Sequence, residues 1–155
     1  MRCWVFGALA LIPLLAAGEW AAGGPVLVYN ATPSIATGWY RWAPGALGHG
    51  DTIEFESAIL PAAHQAQLTP RLMKHVGGIG GDQICRRAGK LSVAGQRYSL
   101  ARPDLSFLAD GVCTTLPSGM ILPIGVHPDS YDGRYFGPVP ESQVRRVKAL
   151  KVIRM

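Results

Sequence analysis

The β-rich character of the chain is plainest in the stretch Leu72-Met73-Lys74-His75-Val76-Gly77-Gly78-Ile79-Gly80-Gly81-Asp82. The apolar run from Leu72 to Val76 predicts a short β-strand, and the glycines that follow predict where this strand ends. The strand contains one lysine, Lys74. The stretch therefore predicts a strand that carries a lone cationic side chain among apolar neighbours.

Short strands of the same kind are predicted along the rest of the chain. Its 155 residues suit a single domain, and its 19 glycines and 12 prolines are scattered, which is typical of many short strands joined by turns. The predicted strands are residues 25–29, the alternating residues 52–55 after a turn at 49–51, a hairpin at 90–98 that turns at Ala94-Gly95, and residues 120–125, whose proline indicates an edge or bulged strand. Residues 58–72 are predicted as a short helix or loop, and 97–116 as mostly loop. The sequence therefore predicts an all-β fold with little helix.

The N-terminus predicts export from the cytoplasm. Met1-Arg2 precedes an apolar segment from Cys3 to Ala17, which is shorter than the ~20 residues that span a bilayer. Ala16 and Gly18 have the spacing of a signal cleavage site, whereas Trp20-Ala21-Ala22 extends the apolar run. Both a cleaved signal and a retained anchor fit this pattern. We therefore expect a signal or membrane-anchor segment at residues 1–22 and an exported domain at residues 23–155.

Cysteine usage agrees with an oxidising compartment. Cys3 lies in the N-terminal segment, so Cys85 and Cys113 remain as an even pair, which in an exported domain predicts a disulfide. Two buried thiols are the alternative. The four histidines are scattered without the spacing of a metal site. We therefore expect neither a metal ion nor a cofactor.

Most of the net charge of +5 lies near the C-terminus. There the single acidic residue Glu141 is outnumbered by five cationic residues, namely Arg145, Arg146, Lys148, Lys151 and Arg154. Apolar residues alternate with these cations, which predicts a solvated last strand. Contact with a membrane or with anionic lipid is the alternative interpretation. Nucleic acid is not an expected partner outside the cytoplasm.

Three places carry side chains suited to catalysis: Thr32-Pro33-Ser34, Lys74, and the polar segment from Gly125 to Val139. A serine hydroxyl is a poor nucleophile without a neighbouring base. One candidate base is a histidine assisted by a carboxylate, with His127 and Asp129 as the main pair, and His75 and Asp132 as the other candidates for these two roles.

The other candidate base is a neutral lysine. A lysine with an ordinary pKa near 10.4 is half neutral at pH 7 only if burial lowers its pKa by ~3.4, which costs roughly 4.6 kcal/mol. Such a lysine needs a rigid apolar setting, which Leu72, Met73 and Val76 offer to Lys74. Spacing alone nevertheless favours a structural lysine whose ammonium group reaches solvent.

Four short motifs follow one another between residues 26 and 139. They are Asn30-Ala31-Thr32-Pro33-Ser34-Ile35-Ala36-Thr37-Gly38-Trp39-Tyr40, His49-Gly50-Asp51-Thr52-Ile53, the stretch from Lys74 to Asp82, and His127-Pro128-Asp129-Ser130-Tyr131-Asp132-Gly133-Arg134-Tyr135-Phe136-Gly137. In this order they resemble the nucleophile segment, the Gly-Asp strand, the lysine box and the final Ser-x-Asp-x-Arg-Tyr-x-Gly box of the type I signal peptidase superfamily. Within that superfamily they are most similar to the TraF-like conjugative-transfer peptidases. A single motif of this kind would be weak evidence for the resemblance, whereas four motifs in the same order are specific to the superfamily.

The resemblance implies a role for each matching residue. Ser34 matches the nucleophile, Lys74 the general base, and Ser130 the serine that orients the lysine. Thr32 matches a hydroxyl residue of the oxyanion hole. Asp132 and Arg134 match a supporting ion pair beneath the site.

The resemblance also implies a fold and an activity. The fold is a signal-peptidase-like β-barrel or sandwich, to which the region around residues 85–116 adds a small disulfide-tied extension. The activity is that of a serine endopeptidase with a Ser-Lys dyad, which cleaves an exported precursor, such as a propilin, after a small residue. The implied location is the periplasmic face of a bacterial inner membrane, or the periplasm if the N-terminal segment is removed.

Two other functions remain as alternatives. One is a Ser-His-Asp hydrolase built from Ser34, His127 and Asp129. The other is a non-catalytic periplasmic β-domain that scaffolds a secretion complex.

Overall fold

The computed structural model describes residues 27–66 and 68–153, and over these residues the chain is mainly β-structure. The strands are β1 (Leu27–Asn30), β2 (Thr37–Trp42), β3 (Thr52–Glu56), β4 (Arg71–Ile79), β5 (Gln83–Arg87), β6 (Lys90–Val93), β7 (Gln96–Ser99), β8 (Cys113–Thr115), β9 (Met120–Ile124), β10 (Val139–Pro140) and β11 (Arg145–Ile153). The helices are the single turns α1 (Ala62–Gln65) and α2 (Gly133–Phe136), and 3₁₀ turns occupy Ser57–Ile59, Pro103–Leu105 and Glu141–Gln143. The predicted all-β class is confirmed. The segment at residues 1–22 lies outside the described residues, so its boundary with the exported domain stays a prediction.

The strands form two antiparallel sheets. The larger sheet has the order β1-β2-β11-β3-β4-β9-β10 and is curled into half a barrel. The smaller sheet has the order β7-β6-β5-β8. The predicted last strand, β11, lies between β2 and β3 and buries Val147, while Lys148 on its opposite face is exposed. Alternation of apolar and cationic residues therefore suits a strand that is inside a sheet but solvated on one face.

Strand β4 is longer than the sequence predicted. The predicted strand covers Leu72 to Val76, whereas the observed strand continues through Gly77 and Gly78 and ends at Ile79, inside the glycine-rich stretch that was predicted to end it. A Cβ atom on Gly78 would lie 2.7 Å from Val93 Cγ2, and one on Gly77 would collide with the Ile124 side chain. Gly77 and Gly78 thus allow close packing against neighbouring strands, and the strand ends before Gly80 and Gly81.

Two other strand predictions are confirmed. The hairpin of β6 and β7 turns at Ala94-Gly95 with Val93 opposite Gln96. Strand β9 is present at Met120–Ile124, and its ladder with β4 has a register shift between Val76 and Gly78, where β4 carries the extra residue Gly77. Pro123 lies opposite Val76 in that ladder, as expected for a proline near a bulge.

Strand β3 differs from the half-buried strand predicted by its alternating pattern. Glu54 is 4% exposed, although it occupies a position expected to face solvent. Arg71 and Arg145 cover its carboxylate at 3.2 and 3.3 Å. A buried carboxylate is retained when cations pair with it, which residue patterns in one strand do not reveal.

The disulfide between Cys85 and Cys113 is present and joins β5 to β8 in the smaller sheet. That sheet packs on the larger one through an apolar cluster in which Ile84 and Leu91 contact Leu122, Ile124 and neighbouring residues. A second cluster lies between β3, β4 and α2, and a third joins Ile35 to Tyr40, Met73 and Val147. The third cluster anchors the loop that follows β1 against the middle of the larger sheet.

Candidate active site

The loop between β1 and β2 carries Ser34, and the side chain of Asn30 organises this loop. Asn30 is 4% exposed, and its Nδ2 donates to the carbonyl oxygens of Thr32, Ile35 and Ala36 at 2.8, 3.1 and 3.2 Å. Its Oδ1 accepts hydrogen bonds from the Thr32 backbone nitrogen and hydroxyl at 3.2 and 2.9 Å. With Ile35 fully buried beneath it, the turn holds Ser34 in a defined position.

Lys74 reaches the hydroxyl of Ser34 from the middle of β4. Its Nζ lies 2.7 Å from Ser34 Oγ and 2.8 Å from Ser130 Oγ, and the two serine oxygens are 3.2 Å apart. Lys74 is 3% exposed. Three residues that are far apart in the sequence therefore form a closed triangle of hydrogen bonds.

Burial changes the acid–base properties of Lys74. Loss of hydration, helped by the positive charge of Arg134, lowers the pKa of Lys74 to about 8, while the carboxylate of Asp132 acts in the opposite direction. Loss of hydration is the largest cause, since a charged ammonium group is poorly stabilised away from water. The neutral amine, which can accept a proton, is therefore accessible near neutral pH.

Asp132 and Arg134 form a buried ion pair that supports the segment around Ser130. Arg134 donates to Asp132 through Nε at 2.9 Å and through a terminal nitrogen at 2.7 Å, in a two-point contact. The same guanidinium donates to the carbonyl oxygens of Ser130 and His127 at 3.2 and 3.1 Å. Asp132 also accepts a 2.7 Å hydrogen bond from the Gly125 backbone nitrogen. The pair thus ties the end of β9 to the backbone of the loop that carries Ser130.

The triangle lies at one end of a groove of about 520 Å³. Strand β1 and the loop after it line one side, residues 68–74 line the other, and Tyr131 contributes to the lining. Strand β1 is at the edge of its sheet, and Arg71 to Lys74 pair with β3 but not with β9, whose ladder begins at His75. Both sides of the groove therefore have backbone groups available for an extended peptide.

The histidines lie elsewhere. His127 is close to Asp129, with 4.0 Å between Nδ1 and Oδ2, but Ser34 Oγ has Lys74 and Ser130 as its described partners. His75 Nδ1 is 3.3 Å from the Thr52 hydroxyl. The structure does not bring the predicted Ser34–His127–Asp129 combination together.

Some contributors to the site were missed in the sequence. Tyr131 lines the groove, stacks on Tyr135 at 5.3 Å between ring centroids and bonds His64 through its hydroxyl at 2.6 Å. Gly125 touches the serine pair, because a Cβ there would collide with Ser130 Oγ and lie 3.1 Å from the Ser34 carbonyl oxygen. The density of glycine and aromatic residues between 125 and 137 was the available signal, but it did not single out these two.

Two further properties concern the described part of the chain. Within residues 27–66 and 68–153, no group of three or more His, Cys, Asp or Glu side chains is placed to hold a metal ion. Over the same residues, no helix has the length and apolar character needed to cross a bilayer.

Comparison with known proteins assigns the family. A search of curated proteins found no match to the chain. The family model described as "Signal peptidase, peptidase S26" matches residues 2–152, which is nearly the whole sequence. Members of this family are serine peptidases that act on exported precursors. The chain therefore belongs to the signal peptidase family, peptidase S26.

Proposed function

We propose that this signal peptidase works through a Ser34–Lys74 dyad and cleaves exported precursors after a small residue. The 2.7 Å contact between Lys74 Nζ and Ser34 Oγ, in a buried position at the end of a peptide-sized groove, is the observation that carries the proposal. A depressed lysine pKa at such a position fits the requirement of a general base at neutral pH.

The first chemical step uses neutral Lys74 as base. Ser34 Oγ attacks the carbonyl carbon of the scissile bond, and its proton passes to Lys74 Nζ as the new C–O bond forms. Ser130 Oγ, 2.8 Å from the same nitrogen, keeps the amine directed at Ser34. The electron pair of the carbonyl π bond moves to its oxygen and produces an oxyanion.

The oxyanion requires hydrogen-bond donors. No described residue accepts a hydrogen bond from the Ser34 backbone N–H, which leaves this donor for the oxyanion. The Thr32 hydroxyl donates to Asn30 Oδ1 at 2.9 Å, and rotation about its C–O bond redirects this donor to the oxyanion. Loss of one such donor reduces the rate by about 10²–10³.

Collapse of the oxyanion breaks the C–N bond, and Lys74 returns its proton to the leaving amine. Water, deprotonated by the same lysine, then hydrolyses the acyl-enzyme and restores Ser34. An amine from a second pilin end can take the place of this water, in which case a new peptide bond forms.

The groove supports an extended substrate. A precursor segment that ends at the scissile bond can pair its backbone with the free edges of β1 and of Arg71 to Lys74, as a strand between two strands. The resemblance to TraF-like peptidases supports a propilin or another secreted component of conjugative transfer as the substrate.

We also propose that the enzyme acts at the periplasmic face of a bacterial inner membrane. Strands β1, β2 and β11 present large apolar side chains to solvent, namely Leu27, Tyr29, Trp39 and Leu150. Tyr29 and Trp39 are in ring contact at 5.2 Å, and the exposed cations Arg41 and Lys148 lie beside them in the sheet. Aromatic rings with flanking cations suit the boundary between lipid and water.

The location is tested by comparing substrates. Trp39→Ser should raise the KM for a membrane-inserted precursor severalfold and leave the KM for a short soluble peptide unchanged. Leu105→Ser, which removes an exposed apolar side chain from another part of the surface, is the control. An equal effect of Trp39→Ser on both substrates would contradict action at the membrane.

The catalytic proposal is tested by co-expressing the full chain with an exported precursor and measuring intact masses. Ser34→Ala and Lys74→Ala should each reduce processing by about 10⁴-fold or more, since the two residues act as a unit. Ser118→Ala and Lys90→Ala, at exposed positions away from the groove, are matched controls that retain processing. The product mass also distinguishes hydrolysis from aminolysis. A product whose two pilin ends are joined is lighter than the hydrolysed product by the mass of one water molecule.

The same experiment separates the alternatives. A Ser-His-Asp hydrolase predicts that His127→Ala abolishes processing while Lys74→Ala spares much of it. A scaffold predicts that Ser34→Ala complements a deletion strain fully. Either result would overturn the dyad.

A further inference from the structure

A second cavity, of about 950 Å³, lies on the side of the active site opposite the groove. Its walls come from five places: the turn at His49-Gly50, the β4 residues His75 to Gly77, the region from Ala94 to Ser99 in and around β7, the segment from Ile124 to Pro128, and Arg134. The volume is within the range of specific ligand sites.

The second cavity begins where the groove ends. Strand β4 lines the groove up to Lys74 and lines the second cavity from His75 onwards. On the other side, Gly125 lies against Ser130 Oγ, and the Val126 backbone nitrogen donates to the Ser34 carbonyl oxygen at 2.7 Å. The Ser34–Lys74 pair is therefore the junction between the two cavities.

The lining of the second cavity combines apolar surface with positive charge. Val126 is 62% exposed, and Val76, Ile124 and Pro128 extend the apolar part. Arg97 is exposed on β7 and forms no ion pair with a described residue. No aspartate or glutamate belongs to the lining, and the other arginine there, Arg134, is neutralised by Asp132.

We propose that this second cavity binds the part of the precursor that follows the cut, and that Arg97 favours an acidic side chain in that part. The inference rests on the proposed function, because it takes Ser34 as the point of cleavage. A peptide whose residues before the cut fill the groove must continue past Ser34, and the adjoining cavity offers apolar contacts and one unpaired cation. A lysine in the same segment finds no carboxylate among the lining residues and is repelled by Arg97.

Binding to an inactive enzyme tests the inference without requiring turnover. Two labelled precursor peptides are titrated into the full-length Ser34→Ala protein in detergent, with fluorescence anisotropy as the readout. The peptides are identical except that two residues shortly after the cut are aspartates in one and lysines in the other. We expect the aspartate peptide to bind about threefold more tightly, the size typical of a partly exposed charge pair.

Charge reversal identifies the side chain responsible. Arg97→Glu in the same inactive background should invert the preference, so that the lysine peptide binds more tightly. Arg87→Glu is the matched control, because Arg87 is an exposed arginine of the same sheet that lies outside the second cavity. The control should keep the preference for aspartate.

Equal affinities for the two peptides, failure of both to bind, or the same preference in the Arg97→Glu and Arg87→Glu proteins would each overturn the inference. None of these results affects the test of the dyad, which depends on processing by Ser34 and Lys74 variants. Conversely, processing that persists in those variants would overturn the dyad while leaving the peptide affinities measurable.

Discussion

Lys74 holds its ammonium group between two serine hydroxyls with almost no exposure to solvent. Its pKa of about 8 means that about one molecule in ten has a neutral lysine at pH 7, compared with well under one in a thousand for the ordinary value of 10.5. Burial and two charged neighbours set this balance: burial removes water, Arg134 adds positive charge, and Asp132 opposes both. The acid–base role of Lys74 is therefore a consequence of its surroundings rather than of its residue type.

The activity should depend on pH through this lysine. Because only the neutral amine accepts the Ser34 proton, kcat/KM for a soluble peptide should rise roughly tenfold per pH unit below about pH 8 and level off above it. A pH–rate profile of the full chain, with intact folding checked by circular dichroism at each pH, provides the measurement. A profile that levels off near pH 6.5 would instead indicate a histidine base.

The same lysine should lower the stability of the fold at neutral pH. Since the folded chain holds the Lys74 proton less tightly than the unfolded chain does, the cost of burying the charge is fully present below about pH 8 and disappears towards pH 10.5. That cost is about 3 kcal/mol at pH 7. Lys74→Met should therefore raise the melting temperature by several degrees at pH 7 while abolishing activity, and the gain should shrink at pH 10. Thermal unfolding at both pH values measures this, and a lower melting temperature for Lys74→Met at pH 7 would contradict a strained lysine.

The end of strand β9 is the element on which the geometry of the site depends most. Gly125 donates to the Asp132 carboxylate at 2.7 Å, and the next residue, Val126, donates to the Ser34 carbonyl at 2.7 Å. The loop that follows carries Ser130, whose own backbone is bonded to Arg134. One short segment thus connects the serine loop after β1 with the ion pair beneath the lysine.

Gly125→Ala should damage this segment without unfolding the chain. The new Cβ would collide with Ser130 Oγ, so Ser130 must move away from Lys74 Nζ, and the amine loses the group that orients it. We expect kcat to fall by about 10²-fold or more. The free energy of unfolding, measured with denaturant, should fall by about 1–3 kcal/mol, which is the usual cost of overpacking. Gly48→Ala is the comparison, because a Cβ there meets only Asp51 Oδ2, at 3.9 Å, and the backbone of Gly48 is not in the left-handed region. Unchanged kcat in Gly125→Ala would show that Ser130 does not orient the lysine.

In the whole molecule, both sheets contribute residues that form or support the site. The larger sheet supplies Ser34 and Lys74, while the smaller sheet packs against Ile124, and its Ser99 carbonyl oxygen accepts a hydrogen bond from Arg134 at 2.9 Å. The smaller sheet also forms the wall of the second cavity that contains Arg97. Its stability therefore bears on the site even though it carries neither member of the dyad.

Removing the disulfide should loosen the smaller sheet. Cys85 and Cys113 are 28 residues apart, and closing a loop of that length in the unfolded chain is worth about 3–4 kcal/mol. The Cys85→Ser/Cys113→Ser double variant should melt several degrees lower than the wild type, and dithiothreitol should lower the melting temperature of the wild type alone. A double variant with the wild-type melting temperature would mean that the smaller sheet is held by packing on the larger sheet without the bond.

Local residue patterns in the sequence determined the fold class and several individual elements of this protein. They predicted the all-β class, the β6–β7 hairpin, the strand that contains Pro123 and the pairing of Cys85 with Cys113, because turn chemistry, side-chain alternation and an even cysteine count act over short range or by elimination. The ordered motifs also predicted the signal peptidase family.

The tertiary structure decided what depends on distant neighbours. Ser34 lies 40 residues from Lys74 and 96 from Ser130, so whether the base is a lysine or a histidine could not follow from spacing alone. Strand β4 continues through its glycines because Val93 and Ile124 approach it closely, and Glu54 is buried because Arg71 and Arg145 cover it. Hydrophobic alternation and turns are properties of adjacent residues, whereas close packing, burial of charge and a lowered pKa arise only when chain segments from different parts of the sequence meet.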